Sequence, residues 1–345
     1  MSYNRRVRVV AAVDKFRGTL DADGVAAAIA AACEAKGHEC DRVPLADGGE
    51  GLLEAFGGAT EWSTVTGPAG EPVRAGWYRS DTLTVIEMAQ AAGLALAGGA
   101  DVNRPEEATT AGVGELLLEA VRRGTSRIVV GMGGSATSDG GQGAVDVLES
   151  SGEIDALRAV DIVIACDVDT AFGDAGRVFG PQKGADAAAI ERITGRLEAL
   201  ADTYRSTYGV DVTTMPGAGA AGGLAGGLAA ATGATISSGF ELVAGELGLA
   251  GLIDTADLVI TGEGSLDPTS RNGKVVGGVL SMCSDRSVDV HAIAGIVRDV
   301  DWIPYTALVE TFGEHRALTD TQACVVEATH RLLEARSSAA APDQS

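Results

Sequence analysis

Four groups of acids stand where apolar runs give way to glycine. Asp47 and Glu50 lie in ADGGEG, Asp139 in VGMGGSATSDGGQG, Asp167 and Asp169 in DVD after VIAC, and Glu263 and Asp267 in TGEGSLD. Any one such acid is most simply a turn former that bonds its own backbone. Four groups beside glycines suit another chemistry: carboxylates that hold Mg²⁺ and accept a hydroxyl proton during phosphoryl transfer. The cations point the same way. Of the four lysines, three sit in glycine-flanked stretches: Lys15 in DKFRG, Lys183 in GPQKG and Lys274 in NGKVVGG. A cation beside flexible backbone suits a phosphate or carboxylate. The plainer reading is chance, since the chain holds 48 glycines.

The familiar nucleotide signatures are incomplete. There is no GxxxxGK[ST]. A literal GxGxxG occurs at Gly217, Gly219 and Gly222, and a GxGxxA at Gly131, Gly133 and Ala136. The first follows the polar run VDVTTMP, where a dinucleotide fold wants a buried strand. The second follows a strand, but DGGQG interrupts the helix that should receive the pyrophosphate. A dinucleotide-dependent oxidoreductase therefore stands as an alternative.

The elements that must position these residues read as follows. Arg8–Val13 is strand one, and Thr19 is placed to cap a helix through about Lys36, ended by Gly37. Arg42–Leu45 is strand two. Thr84–Met88, Arg127–Val130 and Val160–Cys166 are strands of a middle segment, with helices at Glu115–Arg123, Asp186–Tyr208 and Leu224–Ala231. Leu258–Thr261, Val290–Ala294 and Ala307–Val309 return to the opening rhythm. The pattern predicts an α/β protein of two domains. Residues 1–58 with 240–345 form one doubly wound parallel sheet, flavodoxin- or Rossmann-like. Residues 59–239 form an inserted glycine-rich α/β domain. In such sheets ligands bind beyond the carboxyl ends of the strands, where the glycine motifs collect. The tail RSSAAAPDQS is small and polar and is expected to fray.

Bulk properties narrow the class. The hydrophobic fraction is 46% but aromatics are only 4%, which suits α/β layers better than a β-sandwich. A net charge of −22 repels phosphate backbones, so nucleic acid is not an expected partner. The five cysteines have no CxxC spacing, which fits a reducing cytoplasm. No apolar run is long enough for a membrane span, and the start, VRVVAAV, is too short for a signal segment. Self-association into a homo-oligomer is left open.

Taken in order, DKFRGTL, PLADGGEG, VIEMAQAAGL, ELLLEAVRRG, VGMGGSATSDGG, ACDVDTAFGDAGRVFGPQKGA, PGAGAAGGLAGGL and DLVITGEGSLDPTSRNGKV resemble the bacterial glycerate kinase family, of the glycerate 2-kinase type. The resemblance runs from about residue 8 to 298. It implies transfer of the γ-phosphoryl of ATP, with Mg²⁺, to D-glycerate or a related small hydroxy acid, at the 2-hydroxyl. On that reading Asp139, Asp167, Lys183 and Asp47 are catalytic. Gly133, Gly134, Ser135, Thr137, Gly217, Gly219 and Lys274 hold the nucleotide. Lys15, Arg17, Asp14 and Glu263 bind the acid, and Asp139, Asp167 and Asp169 bind the metal. Some positions depart from the family pattern: Arg17 replaces the usual lysine, Ala111 and Val113 stand in TTAGVGE, and Ser265 replaces an arginine. These departures keep open an acceptor other than glycerate, and a catalytically weak relative that binds only nucleotide or an anion.

Overall fold

The computed structural model describes residues 6–271 and 274–339. Asn272 and Gly273 of NGKVVGG, and residues 340–345 of the tail, lie outside the described residues. The tail's first part, Arg336–Ala339, is the last turn of a helix, Thr321–Ala339.

The first segment supplies strands β1 (Arg8–Val13) and β2 (Glu39–Pro44). The middle supplies β3 (Glu61–Thr66), β4 (Pro72–Arg79), β5 (Leu83–Glu87), β6 (Arg127–Gly131), β7 (Asp161–Ala165) and β8 (Thr235–Ser237). The last supplies β9 (Leu258–Leu266), β10 (Val290–Val297) and β11 (Tyr305–Ala307). The chain divides into two compact units, Met1–Asp47 with Phe240–Ser345, and Gly48–Gly239.

In the first unit the sheet order is β11-β10-β9-β1-β2, and every neighbouring pair is parallel. β1 reads RVVAAV, and Val9 to Val13 are fully buried. An unbroken apolar strand of this kind belongs in a parallel sheet covered on both faces. Its partner helix, Ala22–Ala35, presents Val25, Ile29 and Cys33 to the same core. The cap of that helix is Asp21, whose Oδ1 accepts from the Gly24 amide at 2.7 Å. Thr19, the expected cap, instead donates its hydroxyl to the Phe16 carbonyl at 3.0 Å. The apolar run at Ala307–Val309 is a strand only to Ala307; Leu308–Phe312 is helical.

In the second unit the order is β3-β4-β5-β6-β7-β8. β3, β4 and β5 pair antiparallel, and β5 to β8 pair parallel. The core joins Trp77, Ile86, Leu116, Leu117, Ile128, Ile164 and Leu228. The helix Ala187–Tyr208 starts where Asp186 accepts from the Ala189 amide at 2.7 Å, and stops at Gly209, whose φ of 72° is left-handed. The short helix Leu52–Ala55 belongs to this unit, because Glu87 of β5 accepts from the Gly51 and Leu53 amides at 2.9 and 3.1 Å. The first segment of the discontinuous unit thus ends at Asp47, not at residue 58.

Candidate active site

The carboxyl end of β1 lies beside the middle of β9. Val13 pairs with Gly262, and the Asp14 amide donates to the Gly262 carbonyl at 2.9 Å. This register brings the first acid after β1 next to Glu263, 249 positions further along the chain. A cavity of about 430 Å³ opens there. Its charged lining is Asp14, Lys15, Arg17, Asp47, Glu263, Asp267 and Lys274; Phe16, Ile296, Val309 and Leu318 contribute to its apolar wall. The acid-binding set expected from the sequence is therefore gathered in one place, together with Asp47 and Lys274.

Two carboxyls in this cavity titrate far from their ordinary range. Burial, then the charge of Asp47, raises Asp14 to about 6; its bond from the Lys15 amide, at 2.7 Å, and the charges of Lys15 and Arg17 oppose the rise. Burial raises Glu263 to about 7, a hydrogen bond from Ser270 and the charge of Lys274 oppose it, and Asp14 and Asp267 add to it. Glu263 Oε1 is buried with no hydrogen-bond partner among the described residues. Such an oxygen is costly to leave unmade and is ready for a donor from a ligand. Asp267 has a different job. It accepts from the Thr269 amide and hydroxyl at 2.8 and 2.6 Å, and those bonds hold it below the usual carboxylate range. Lys274 Nζ lies 3.3 Å from Thr269 Oγ1, beside the same turn. The cavity therefore combines cations for an anionic ligand with acids whose proton affinity suits exchange near neutral pH.

The glycine-rich loop after β6 is mostly interior. Gly134 is exposed and Gly133 half-buried, but Ser135, Thr137, Ser138 and Asp139 are buried. Asp139 Oδ2 accepts from the Thr110 amide at 2.9 Å, the Thr110 hydroxyl at 2.8 Å and the Gly143 amide at 3.2 Å; Oδ1 accepts from the Gly141 amide at 3.1 Å. Its carboxylate organises the entry to the helix Gln142–Ser151. Thr137 donates its hydroxyl to the Ala221 carbonyl at 3.4 Å. Lys183 is only 2% exposed and donates to the Thr137 carbonyl at 2.7 Å. Burial lowers its ammonium to about 7, and the charge of Asp139 opposes the fall. In this structure Asp139 and Lys183 both make contacts inside the protein, the carboxylate to the Thr110, Gly141 and Gly143 groups and the ammonium to the Thr137 carbonyl.

The expected metal set is not assembled. Asp167 Oδ1 accepts from the Gly239 amide at 2.9 Å, Asp169 is exposed, and Asp139 is engaged as above. Among the described residues no three His, Cys, Asp or Glu side chains are placed to hold a metal ion. Mg²⁺ is commonly held by one or two carboxylates together with substrate phosphates. The donors here fit a cation that comes with a nucleotide, not one caged by protein.

The glycines have a packing reason. A Cβ on Gly133 would stand 2.5 Å from Gly49 Cα, one on Gly219 2.4 Å from the Ala171 carbonyl oxygen, and one on Gly217 3.0 Å from that of Val168. At Gly222, with φ of 72°, it would stand 2.0 Å from the Thr137 oxygen. Backbone lies against backbone at these places, and only glycine allows it. The literal GxGxxG sits on a 3₁₀ turn, Ala220–Gly223, before the buried helix Leu224–Thr232, and follows no strand. This removes the strand–turn–helix context on which the dinucleotide alternative depended. Sequence reasoning missed Ser270, which bonds Glu263, and Asn103, Arg196 and Tyr204, which hold the loop. No local pattern marks them.

A parallel α/β sheet with a cavity of mixed charge at its carboxyl edge, joined in sequence to a second α/β sheet, defines a two-unit α/β protein. Comparison with known proteins makes this particular. The model of the glycerate kinase family matches residues 9–155 and 145–342, and the chain belongs to that family. It is 39% identical over 329 residues to glycerate 2-kinase of Escherichia coli K12, covering 85% of this chain and 86% of that one. It is 36% identical over 327 residues to glycerate kinase of Bacillus subtilis 168, covering 84% and 85%. The crystal structure of a candidate glycerate kinase 2 from Salmonella typhimurium LT2 superposes with a TM-score of 0.82 at 32% identity, covering 97% of this chain and 99% of that one. Among the described residues no helix is long and apolar enough to cross a membrane.

Proposed function

We propose that this chain transfers the γ-phosphoryl group of ATP to the 2-hydroxyl of D-glycerate, giving 2-phosphoglycerate and ADP. The observation that carries the reading is the convergence of Asp14, Lys15, Arg17 and Glu263 on one cavity, in a chain of the glycerate kinase family. Arg17 suits the acid's carboxylate as a planar, two-pronged donor, and Lys15 and Lys274 add point charges. They offset the acids of the same cavity, Asp14, Asp47, Glu263 and Asp267, in a chain of net charge −22 that otherwise repels both anionic substrates.

Glu263, with its unpartnered Oε1, takes the proton of the attacking hydroxyl. The hydroxyl oxygen then forms a bond to the γ-phosphorus as the bond from that phosphorus to the bridging oxygen breaks, and ADP leaves with the electron pair. The proton ends on the Glu263 carboxylate. Asp14 lies beside it and tunes its proton affinity by charge. Mg²⁺ bound to the nucleotide supplies neutralisation of the phosphate charge. The five cysteines are free thiols, which supports a cytoplasmic setting.

Phosphorus NMR of the product tests the assignment. A phosphomonoester on the 2-hydroxyl of D-glycerate is expected. A product carrying phosphate on the 3-hydroxyl overturns the stated position, and absence of any phosphomonoester overturns the kinase reading.

A further inference from the structure

Successive carbonyl groups of the loop after β6 are each held by a side chain from elsewhere in the same unit. Asn103 Nδ2 donates to the Ala136 carbonyl at 2.9 Å, and also to that of Lys183 at 2.9 Å. Lys183 Nζ donates to the Thr137 carbonyl at 2.7 Å. Arg196 donates to the Ser138 carbonyl, while its other terminal nitrogen donates to the Glu106 carbonyl at 2.8 Å. The Tyr204 hydroxyl donates to the Gly140 carbonyl at 3.0 Å. Four donors from three different parts of the sequence thus fasten Ala136, Thr137, Ser138 and Gly140.

A trans peptide points its C=O and the next N–H in opposite directions, so fixing the carbonyl fixes the whole peptide plane. No cis peptide occurs among the described residues. The four contacts therefore set the orientation of four of the five peptides from 136 to 141, and the bond from the Gly140 amide to the Gly222 carbonyl at 3.0 Å holds the fifth. Only the loop's tip reaches solvent: Gly134 is exposed and Gly133 half-buried, immediately after the carboxyl end of parallel strand β6. That is where ligands approach an open α/β sheet. The tip is itself joined to the body where the Leu94 amide donates to the Gly134 carbonyl at 2.8 Å.

We propose that Asn103, Lys183, Arg196 and Tyr204 are positioning residues that hold the buried part of this loop so that its Gly133–Gly134 tip meets the nucleotide's phosphates in one fixed geometry. The inference rests on the kinase reading for the identity of the ligand. It differs from that reading in its residues, all in the second unit, and in its readout. The acid-binding cavity belongs wholly to the first unit, so loss of a clamp contact changes the handling of nucleotide and leaves that of the acid alone.

Tyr204→Phe is the cleanest test. It deletes one hydroxyl and keeps the ring that packs edge-on against Phe172. Expected are faster amide exchange in residues 131–143 and a KM for ATP raised about 2- to 10-fold, the size of one hydrogen bond, with KM for D-glycerate unchanged. Lys183→Met shifts both readouts the same way and further. Lys183→Arg, which restores a cationic donor, recovers part of the ATP effect. Unchanged exchange in both deletion variants, or equal rises in both KM values, overturns the proposal. So does a lowered melting temperature with unchanged kinetic constants, the mark of a merely structural role. If the unaltered protein turns over no acid, the kinase reading fails instead. The clamp is then judged on loop exchange and on the melting-temperature rise given by ATP with Mg²⁺: a smaller rise in Tyr204→Phe supports it, and an equal rise overturns it.

Discussion

Asp14 directly follows the carboxyl end of β1 and lies beside Glu263 within β9, tied by the 2.9 Å bond from the Asp14 amide to the Gly262 carbonyl. Burial, then the charge of Asp47, raises the proton affinity of Asp14, and the charge of Asp14 adds to the rise that burial gives Glu263. A base must be deprotonated to act. The rate at limiting acid is therefore expected to rise with pH through about 7, the value at which Glu263 loses its proton. Glu263→Gln removes that limb and lowers kcat by roughly 10²- to 10⁴-fold, the usual contribution of a general base. A pH–rate profile that keeps the limb in Glu263→Gln assigns it to another group.

The same shift predicts how stability depends on pH. The folded state binds the Glu263 proton more tightly than the unfolded chain does. Its contribution is fully present below the ordinary carboxyl value of 4.5 and is lost as pH rises through about 7. Asp14 acts in the same sense between 3.8 and about 6. Glu263→Gln should flatten the fall of unfolding free energy across this window. Urea titrations that find the same slope in both proteins contradict the burial of this carboxyl.

Arg17 lines the acid cavity and lies in the stretch directly after β1. Arg17→Ala should raise KM for D-glycerate about tenfold or more, and KM for ATP much less, because a charge-assisted bond to a carboxylate is lost. Steady-state kinetics with both substrates varied distinguish this from a surface ion pair, which leaves both constants unchanged.

Asp139 accepts four hydrogen bonds from three residues, Thr110, Gly141 and Gly143. Asp139→Asn turns an amide NH₂ toward groups that are themselves donors. A loss of about 1–3 kcal/mol of stability is expected, visible as a lower melting temperature. A wild-type melting temperature would show that these contacts add nothing.

Parts of this architecture were legible because the residues concerned answer local questions. β1 is an unbroken buried run, and the helix Ala187–Tyr208 carries both its cap, Asp186, and its stop, Gly209. β3 and β4 were not read, because EWSTVT and PVRAGWYR mix charge and aromatics on half-buried strands at one side of the sheet. β8 has three residues, too few to show a period. Asp14, Lys15 and Arg17 were readable as one cluster of charge beside a strand end. Their meeting with Glu263 depends on β1 and β9 being neighbours, a long-range pairing inferred only from the return of the strand rhythm. The burial of Lys183 and Asp139 was not legible, for one reason. Sequence reveals a charge beside glycine but not whether the backbone folds over it.

The central claim is that this chain phosphorylates D-glycerate with ATP. Its most direct test is the rate of ADP release from ATP and Mg²⁺, measured with D-glycerate, with hydroxypyruvate, with tartronate and with no acid. ADP formation should depend on the acid, be fastest with D-glycerate, and fall sharply in Glu263→Gln. ADP release no faster with D-glycerate than with no acid at all would contradict the account.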